Sequence, residues 1–256
     1  MAVKTRWQLA IDPAEQTAPG TYDFACARAL AFVGSPWGRR VTTAETHESV
    51  GFSDAYCGWC YGFGPALHEF AAANADRIEV RVLSGGLFTG SRALPVSAYP
   101  HIPGANERIA QLTGVTFGDG YGAALADGTA VMDSADAATG LVALRSQPGV
   151  NALDAAAAMQ RAWYVDGRSL SDAEVYRDIA AELGLDADAV AAAYVSPAAR
   201  AEAEADFLKV RRLGVDGYPT LLLHTAHGTD RLGGPVSSAD ALTRALDQHL
   251  AAATAA

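Results

Sequence analysis

The sequence predicts an α/β fold in which a small sheet, drawn from two separated parts of the chain, is interrupted by a long helical block. Three observations carry this expectation. Two short β-type segments flank a helix between residues 48 and 83. Helical signals dominate from the end of a loop-rich stretch near residue 104 to about residue 213. A continuous apolar segment, a hairpin partner and a capped helix then close the chain.

In chain order, residues 1–46 are expected to form a poorly defined N-terminal extension. They carry turn formers (Pro13, Pro19-Gly20, Gly34-Ser35-Pro36) and one short helix-like stretch, Phe24 to Phe32. Val41 is a candidate true start, which would make the preceding residues an artificial leader. Glu48 to Phe52 is a short strand ending at Ser53-Asp54, and Cys57-Gly58-Trp59-Cys60 leads into a helix through about Ala73. Ile78 to Leu83 alternates and is β-branched, so it is a second strand, stopped by Ser84-Gly85-Gly86. Asp133 to Leu144 and Asn151 to Tyr164 are Ala-rich helices. Ser171-x-x-Glu174 forms a capping box for a helix with Val175, Tyr176, Ile179, Ala180 and Leu183 on its apolar face. Ser196-Pro197 places a cap and a first-turn proline ahead of a helix reaching about Leu213. Pro219 to His224 is a strand buried on both faces, Thr229 to Leu232 its hairpin partner, and Ser237-x-x-Asp240 caps a last helix with Leu242, Ala245, Leu246 and Leu250 on one face. Strand–helix–strand, helical insert, strand–strand–helix is the order of a thioredoxin-like fold with a helical domain inserted between the second strand and the strand at Pro219. The expected division is 47–90 with 210–256 for the thioredoxin-like part and 91–209 for the insert.

Composition narrows the function classes. The 256 residues include 19 Lys+Arg against 29 Asp+Glu, a formal charge of −10, which argues against non-specific binding to nucleic acid or to an anionic membrane. Half of the residues are hydrophobic, so a sizeable core is available, yet no apolar run approaches the roughly 18 residues of a membrane span. Three cysteines do not make a disulfide-stapled secreted scaffold. Residues 1–20 lack the uninterrupted apolar stretch of a secretory signal, so a cytoplasmic address is expected. In that reducing compartment a close cysteine pair is catalytic or metal-binding more often than structural.

Cys57 and Cys60 are the candidate catalytic residues. A dithiol that makes and breaks disulfides must hold two sulfurs at bridging distance, with one accessible and partly ionised. A helix start supplies free backbone N–H groups and the positive end of the helix dipole. In such motifs the thiolate is stabilised to a pKa of roughly 3.5–7.5. Cys57, nearest the helix tip, is the candidate nucleophile; Cys60, one turn deeper, is the candidate resolving thiol. The competing reading is half of a zinc site, since Cys-x₂-Cys is also a zinc spacing. Cys26 has no partner and His224-x-x-His227 lies far from a second cysteine pair, so no metal and no cofactor are expected. Cys26 is either an incidental thiol or a third redox thiol.

Gly217-Tyr218-Pro219-Thr220 opens the buried strand. Proline has no N–H for a central ladder and is tolerated only at a strand's first residue, where Pro219 is placed. An X–Pro bond is cis in only about 5–6% of cases, so taken alone this is an ordinary strand-start proline. In thioredoxin-like proteins the corresponding position is a cis-proline facing the cysteines, where the preceding backbone is free to pair with an extended substrate. On that analogy Trp59, Tyr218, Pro219 and Thr220 are candidate substrate-binding residues.

Three stretches in order (Ser53-Asp54-Ala55-Tyr56-Cys57-Gly58-Trp59-Cys60-Tyr61-Gly62, Gln160 to Asp172, and Leu213 to Thr220) resemble the DsbA-like thiol oxidoreductase family, and within it the cytoplasmic FrnE-like branch. The resemblance covers about residues 47–252. It implies thiol–disulfide exchange through Cys57 and Cys60, on a protein or small-molecule thiol or disulfide, with a reducing or oxidising thiol partner. The sequence departs from the strongly oxidising members in having Gly58-Trp59 between the cysteines instead of Pro-His, and it has no second cysteine pair near the C-terminus. Two alternatives accompany the leading reading. One is a glutathione- or other thiol-cofactor-dependent transferase or isomerase of the kappa-class type, which Cys60 argues against. The other is a redox-dependent holdase chaperone.

Overall fold

A computed structural model describes residues 47–225 and 228–255. The helix-like stretch Phe24 to Phe32, Val41, Cys26 and His227 therefore lie outside the described residues.

The sheet has four strands: β1 (His47–Ser53), β2 (Ile78–Ser84), β5 (Thr220–Thr225) and β6 (Gly228–Gly233). They lie in the order β2-β1-β5-β6. β1 runs parallel to β2, with Gly51 opposite Val82, and antiparallel to β5, with Phe52 opposite Thr220. A parallel neighbour requires a crossover, and α1 (Gly58–Ala73) provides it. Because β5 runs against β1, the start of β5 lies beside the end of β1. That single register brings the residues just before Thr220 next to those just after Ser53.

The continuous apolar run in β5 is explained by burial on both faces. Leu221 and Leu223 pack with Phe63, Leu67 and Phe70 of α1 and with Leu242 and Leu246 of α9 (Ala239–Ala255). Leu222 points the other way, into a cluster with Val50, Phe52, Leu83 and Val210, the last from α8 (Pro197–Arg212). The strand begins at Thr220, one residue later than expected, leaving Pro219 just outside the ladder.

Between β2 and β5 the chain is mainly helical: α2 (Ile102–Thr113), α3 (Asp119–Asp127), α4 (Ser134–Arg145), α5 (Ala152–Tyr164), α6 (Ala173–Glu182), α7 (Ala187–Tyr194) and α8. Two two-residue strands, β3 (Leu94–Pro95) and β4 (Val131–Met132), pair antiparallel inside this block. They are too short to give a period in the sequence. The architecture is the thioredoxin-like α/β fold with a mixed sheet and inserted helices. Asp133, Asn151 and Ser196 cap α4, α5 and α8 through side-chain oxygens, as their residue types favour.

Two caps fall one residue from expectation. Asp172, not Ser171, caps α6 by accepting from the Glu174 N–H at 3.0 Å. A carboxylate there adds charge complementarity to the helix dipole. Ser238, not Ser237, accepts from the Ala241 N–H at 3.2 Å in the first turn of α9. Ser237 is occupied instead by the preceding turn, its hydroxyl accepting from the Gly234 N–H at 3.1 Å.

Candidate active site

Cys57 is the N-cap of α1. Its backbone is extended (φ −88°, ψ 107°), and its carbonyl accepts the first helical bonds, from Cys60 N–H at 2.9 Å and Tyr61 N–H at 3.1 Å. Its own N–H donates to the Asp54 carbonyl at 3.0 Å, which closes the turn that leaves β1. Cys60 sits one turn inside the helix, and the two thiols are unbridged.

The antiparallel register of β1 and β5 closes the long sequence gap. The Cys57 thiol donates to the Tyr218 carbonyl at 3.7 Å, and the Tyr218–Pro219 peptide bond is cis. The Tyr218 side chain turns away from the sulfurs, its hydroxyl donating to the Gly85 carbonyl at 2.5 Å. Gly85 lies so close beneath the ring that a methyl group there would overlap it, so this approach requires glycine. Thr220 is buried, with its hydroxyl donating to the Gly217 carbonyl at 2.8 Å. Trp59 is half-buried in the first turn of α1. Pro219 and Thr220 share with Cys60 the lining of a small cavity behind the dithiol.

The sulfurs are less open than the sequence reading expects. Cys57 is 6% exposed and Cys60 4%. Burial, then a hydrogen bond to the Cys57 sulfur and the charge on that sulfur, push the Cys60 thiol well above its ordinary value. Cys60 is thus held protonated. The Tyr218 hydroxyl is pushed up to about 12, by burial first and then by Asp54 and Cys60.

Several residues that the sequence reading did not single out complete the site. Asp54 is 2% exposed and accepts from the Tyr56 N–H at 3.0 Å and the Leu87 N–H at 2.7 Å. It ties the turn before Cys57 to the loop after β2. Burial raises its pKa, and these hydrogen bonds oppose the rise. On the helical side, Tyr61 stacks on Tyr164 with ring centroids 4.7 Å apart, and Tyr56 meets Trp163 edge-on at 5.2 Å. These pairs fix the dithiol end of α1 against α5. A side chain at Gly58 would stand 2.8 Å from Ile109 of α2 and 4.0 Å from the Tyr164 hydroxyl, so the helical block closes directly on the residue after Cys57. A strand-end aspartate and aromatic spacing were visible in the sequence, but what they touch was not.

Among the described residues, no group of three or more His, Cys, Asp or Glu is placed to hold a metal ion, and no helix is long and apolar enough to cross a membrane.

Comparison with known proteins covers most of this fold. Residues 50–246 match the model of the DSBA-like thioredoxin domain. The chain belongs to that family. It is accordingly a thiol–disulfide oxidoreductase. Among solved structures, the cytosolic disulfide reductase DsbM from Pseudomonas aeruginosa is 32% identical, with 79% of this chain and 98% of that one covered and a TM-score of 0.67. The same protein with GSH matches at 0.65. A probable DsbA oxidoreductase from Streptomyces coelicolor is 25% identical over 79% of this chain and 89% of that one, with a TM-score of 0.58. A structure from Nitrosomonas europaea, 22% identical over 80% and 98% with a TM-score of 0.69, shows the shared fold. No curated protein sequence matches the chain.

Proposed function

We propose that the protein reduces disulfides in the cytoplasm, in the manner of the FrnE-like branch, with Cys57 as nucleophile and Cys60 as resolving thiol. The observation that carries this reading is the contact of the Cys57 sulfur with the Tyr218 carbonyl at 3.7 Å, beside Pro219. That weak thiol–carbonyl contact is displaced when a disulfide approaches, and the backbone of Tyr218 then aligns an extended substrate alongside Pro219. Trp59, half-buried in the same turn, flanks the approach, and Thr220 holds the loop by its bond to Gly217.

The Cys57 thiolate attacks one substrate sulfur, forming a mixed disulfide and releasing the other sulfur as a thiolate. Cys60 then attacks Cys57, so the protein is oxidised to the Cys57–Cys60 disulfide and the substrate is reduced to two thiols. A small thiol reductant returns the pair to the dithiol. The likeness to a cytosolic reductase studied with GSH supports both the direction and a glutathione-type partner. Residues 47–90 with 210–256 carry the dithiol and the proline loop, and 91–209 supplies the wall over them. Cys60, in the helix turn below Cys57, favours two-cysteine exchange over the single-thiol transferase alternative.

Reduction of insulin disulfides with reduced glutathione as electron donor tests this. Cys57→Ser should lower turnover by about three orders of magnitude, because a hydroxyl at that position is neither a comparable nucleophile nor able to form the mixed disulfide. Turnover unchanged by that substitution would overturn the reading.

A further inference from the structure

A cavity of about 30 Å³ lies directly behind Cys60. That is room for about two water molecules, given the roughly 10–15 Å³ one water needs. Its walls come from one face of α1 (Cys60, Gly64, His68), one face of α5 (Leu153, Gln160), the end of β1 with Ser53, Val82 of β2 and the start of β5, and among the described residues no carboxylate lines it.

Gln160 is 6% exposed and lines this cavity. No described residue hydrogen-bonds its amide, which stays within reach of water, whereas the fully buried side-chain atoms without a partner among the described residues are the Tyr56 hydroxyl and the Trp163 Nε1. An amide that borders a largely apolar cavity and has no protein partner is free to bond a water held there. His68 lies two turns beyond Cys60 on the same helix. It lines both this cavity and the open groove along the edge strand β2, so it stands in the wall between the buried thiol and solvent. Its Nδ1–H donates to the Gly64 carbonyl at 3.0 Å, which leaves Nε2 as the proton-accepting nitrogen. Asp154 stands 3.4 Å from Nε2, placed to pair with the imidazolium.

We propose that this cavity is the proton path of the resolving thiol: Gln160 positions a water against Cys60, and His68 passes the proton on to solvent. The inference rests on the two-cysteine exchange proposed above. In the resolving step the Cys60 sulfur attacks Cys57 of the mixed disulfide. The Cys57–Cys60 bond forms, the bond from Cys57 to the substrate sulfur breaks, and that sulfur leaves as a thiolate with the electron pair. The Cys60 proton moves through the water to His68 Nε2 and then to solvent. The path answers a need set by the site, since burial and the neighbouring sulfur hold Cys60 protonated. The titratable groups around Cys60 are Cys57 on the same helix, Asp54 in the turn before it, the Tyr164 hydroxyl on α5, the Tyr218 hydroxyl before β5, and His68 with Asp154 at the far end. Gln160 is a positioning residue in this scheme, and the sequence offered no sign of it beyond its place in the stretch Gln160 to Asp172.

Stopped-flow reaction of the reduced protein with the aromatic disulfide 5,5′-dithiobis(2-nitrobenzoate) separates the two steps. The first release of thionitrobenzoate reports attack by Cys57 and the second reports resolution by Cys60. Gln160→Leu should slow the second phase roughly tenfold at neutral pH and move its pH profile upward by about one unit, with the first phase within about twofold of wild type. His68→Ala should slow the second phase in the same way, with added imidazole restoring it. A second phase in Gln160→Leu that keeps the wild-type rate and profile would overturn the proposal. So would equal slowing of both phases, or a second phase in His68→Ala that imidazole leaves unchanged. A wild-type protein showing no first phase would instead defeat the exchange reading itself.

Discussion

The dithiol is enclosed by two regions that contribute in different ways. On the sheet side, β1, β5 and the turns at their ends offer mainly backbone: the Asp54 carbonyl to the Cys57 N–H, the Tyr218 carbonyl to the Cys57 sulfur, and Pro219 at the mouth of β5. On the helical side, α2 and α5 offer side chains: Ile109 against Gly58, Tyr164 against Tyr61, and Gln160 behind Cys60. Backbone placed by a sheet register holds the reacting sulfur in a fixed geometry whatever the neighbouring side chains are. Side chains on a helix face can change without altering that register. On the proposed exchange, the first region sets where it happens, and the second sets how the buried partner sulfur is reached and relieved of its proton.

The largest expected effect lies on the helical side. Trp163 is fully buried between Tyr56 and Tyr121, with ring contacts at 5.2 and 5.3 Å. Trp163→Ala should cost about 3–5 kcal/mol in denaturant unfolding, as large-to-small core replacements do. A loss below about 1 kcal/mol would show that the helical block does not hold the dithiol end of α1. A smaller effect belongs to the sheet side. Gly85→Ala places a methyl group in the Tyr218 ring, so it should cost about 1–3 kcal/mol. It should also lower insulin reduction by displacing the Tyr218 carbonyl from Cys57, and turnover that survives intact would break the claim that this carbonyl positions the site.

The smallest effect is a pH dependence of the reduced protein. Cys60 is raised well above its ordinary value of 9.0 in the folded chain. Its contribution to stability is fully present below the unfolded value and is lost as pH rises toward the folded one, because the unfolded chain then binds fewer protons. Above pH 9, reduced wild type should lose stability relative to Cys60→Ala, by at most about 1.4 kcal/mol per pH unit. Tyr164 and Tyr218, which Cys60 also influences, are raised far enough to stay protonated below pH 10, and the other tyrosines titrate alike in both proteins and cancel in the difference. Parallel urea midpoints for the two from pH 7 to 10 would show that the thiol is not buried as described.

The same two regions differ in how much of them the sequence disclosed. The sheet side was legible because its signals are local. Two cysteines at a strand-to-helix junction, and a proline opening an apolar run, have meaning within a few residues of themselves. The fold class followed from the order of such segments. The helical side was hidden because its meaning depends on distant partners. Gln160 is one polar residue in an Ala-rich helix until α5 is laid along α1, and His68 is one histidine among six. Asp54 looked like a strand stop, although its carboxylate joins the turn before Cys57 to the loop at Leu87. Caps shifted by one residue at Asp172 and Ser238 where two good capping residues stand side by side and the tertiary turn decides between them.

Mass spectrometry of Cys60→Ser after exposure to glutathione disulfide tests the central claim most directly. Without a resolving thiol, a glutathione mixed disulfide should accumulate on Cys57 and persist, whereas wild type under the same conditions should pass to the Cys57–Cys60 disulfide. A Cys60→Ser protein that stays unmodified at Cys57, or that carries the adduct on Cys26 alone, would contradict it.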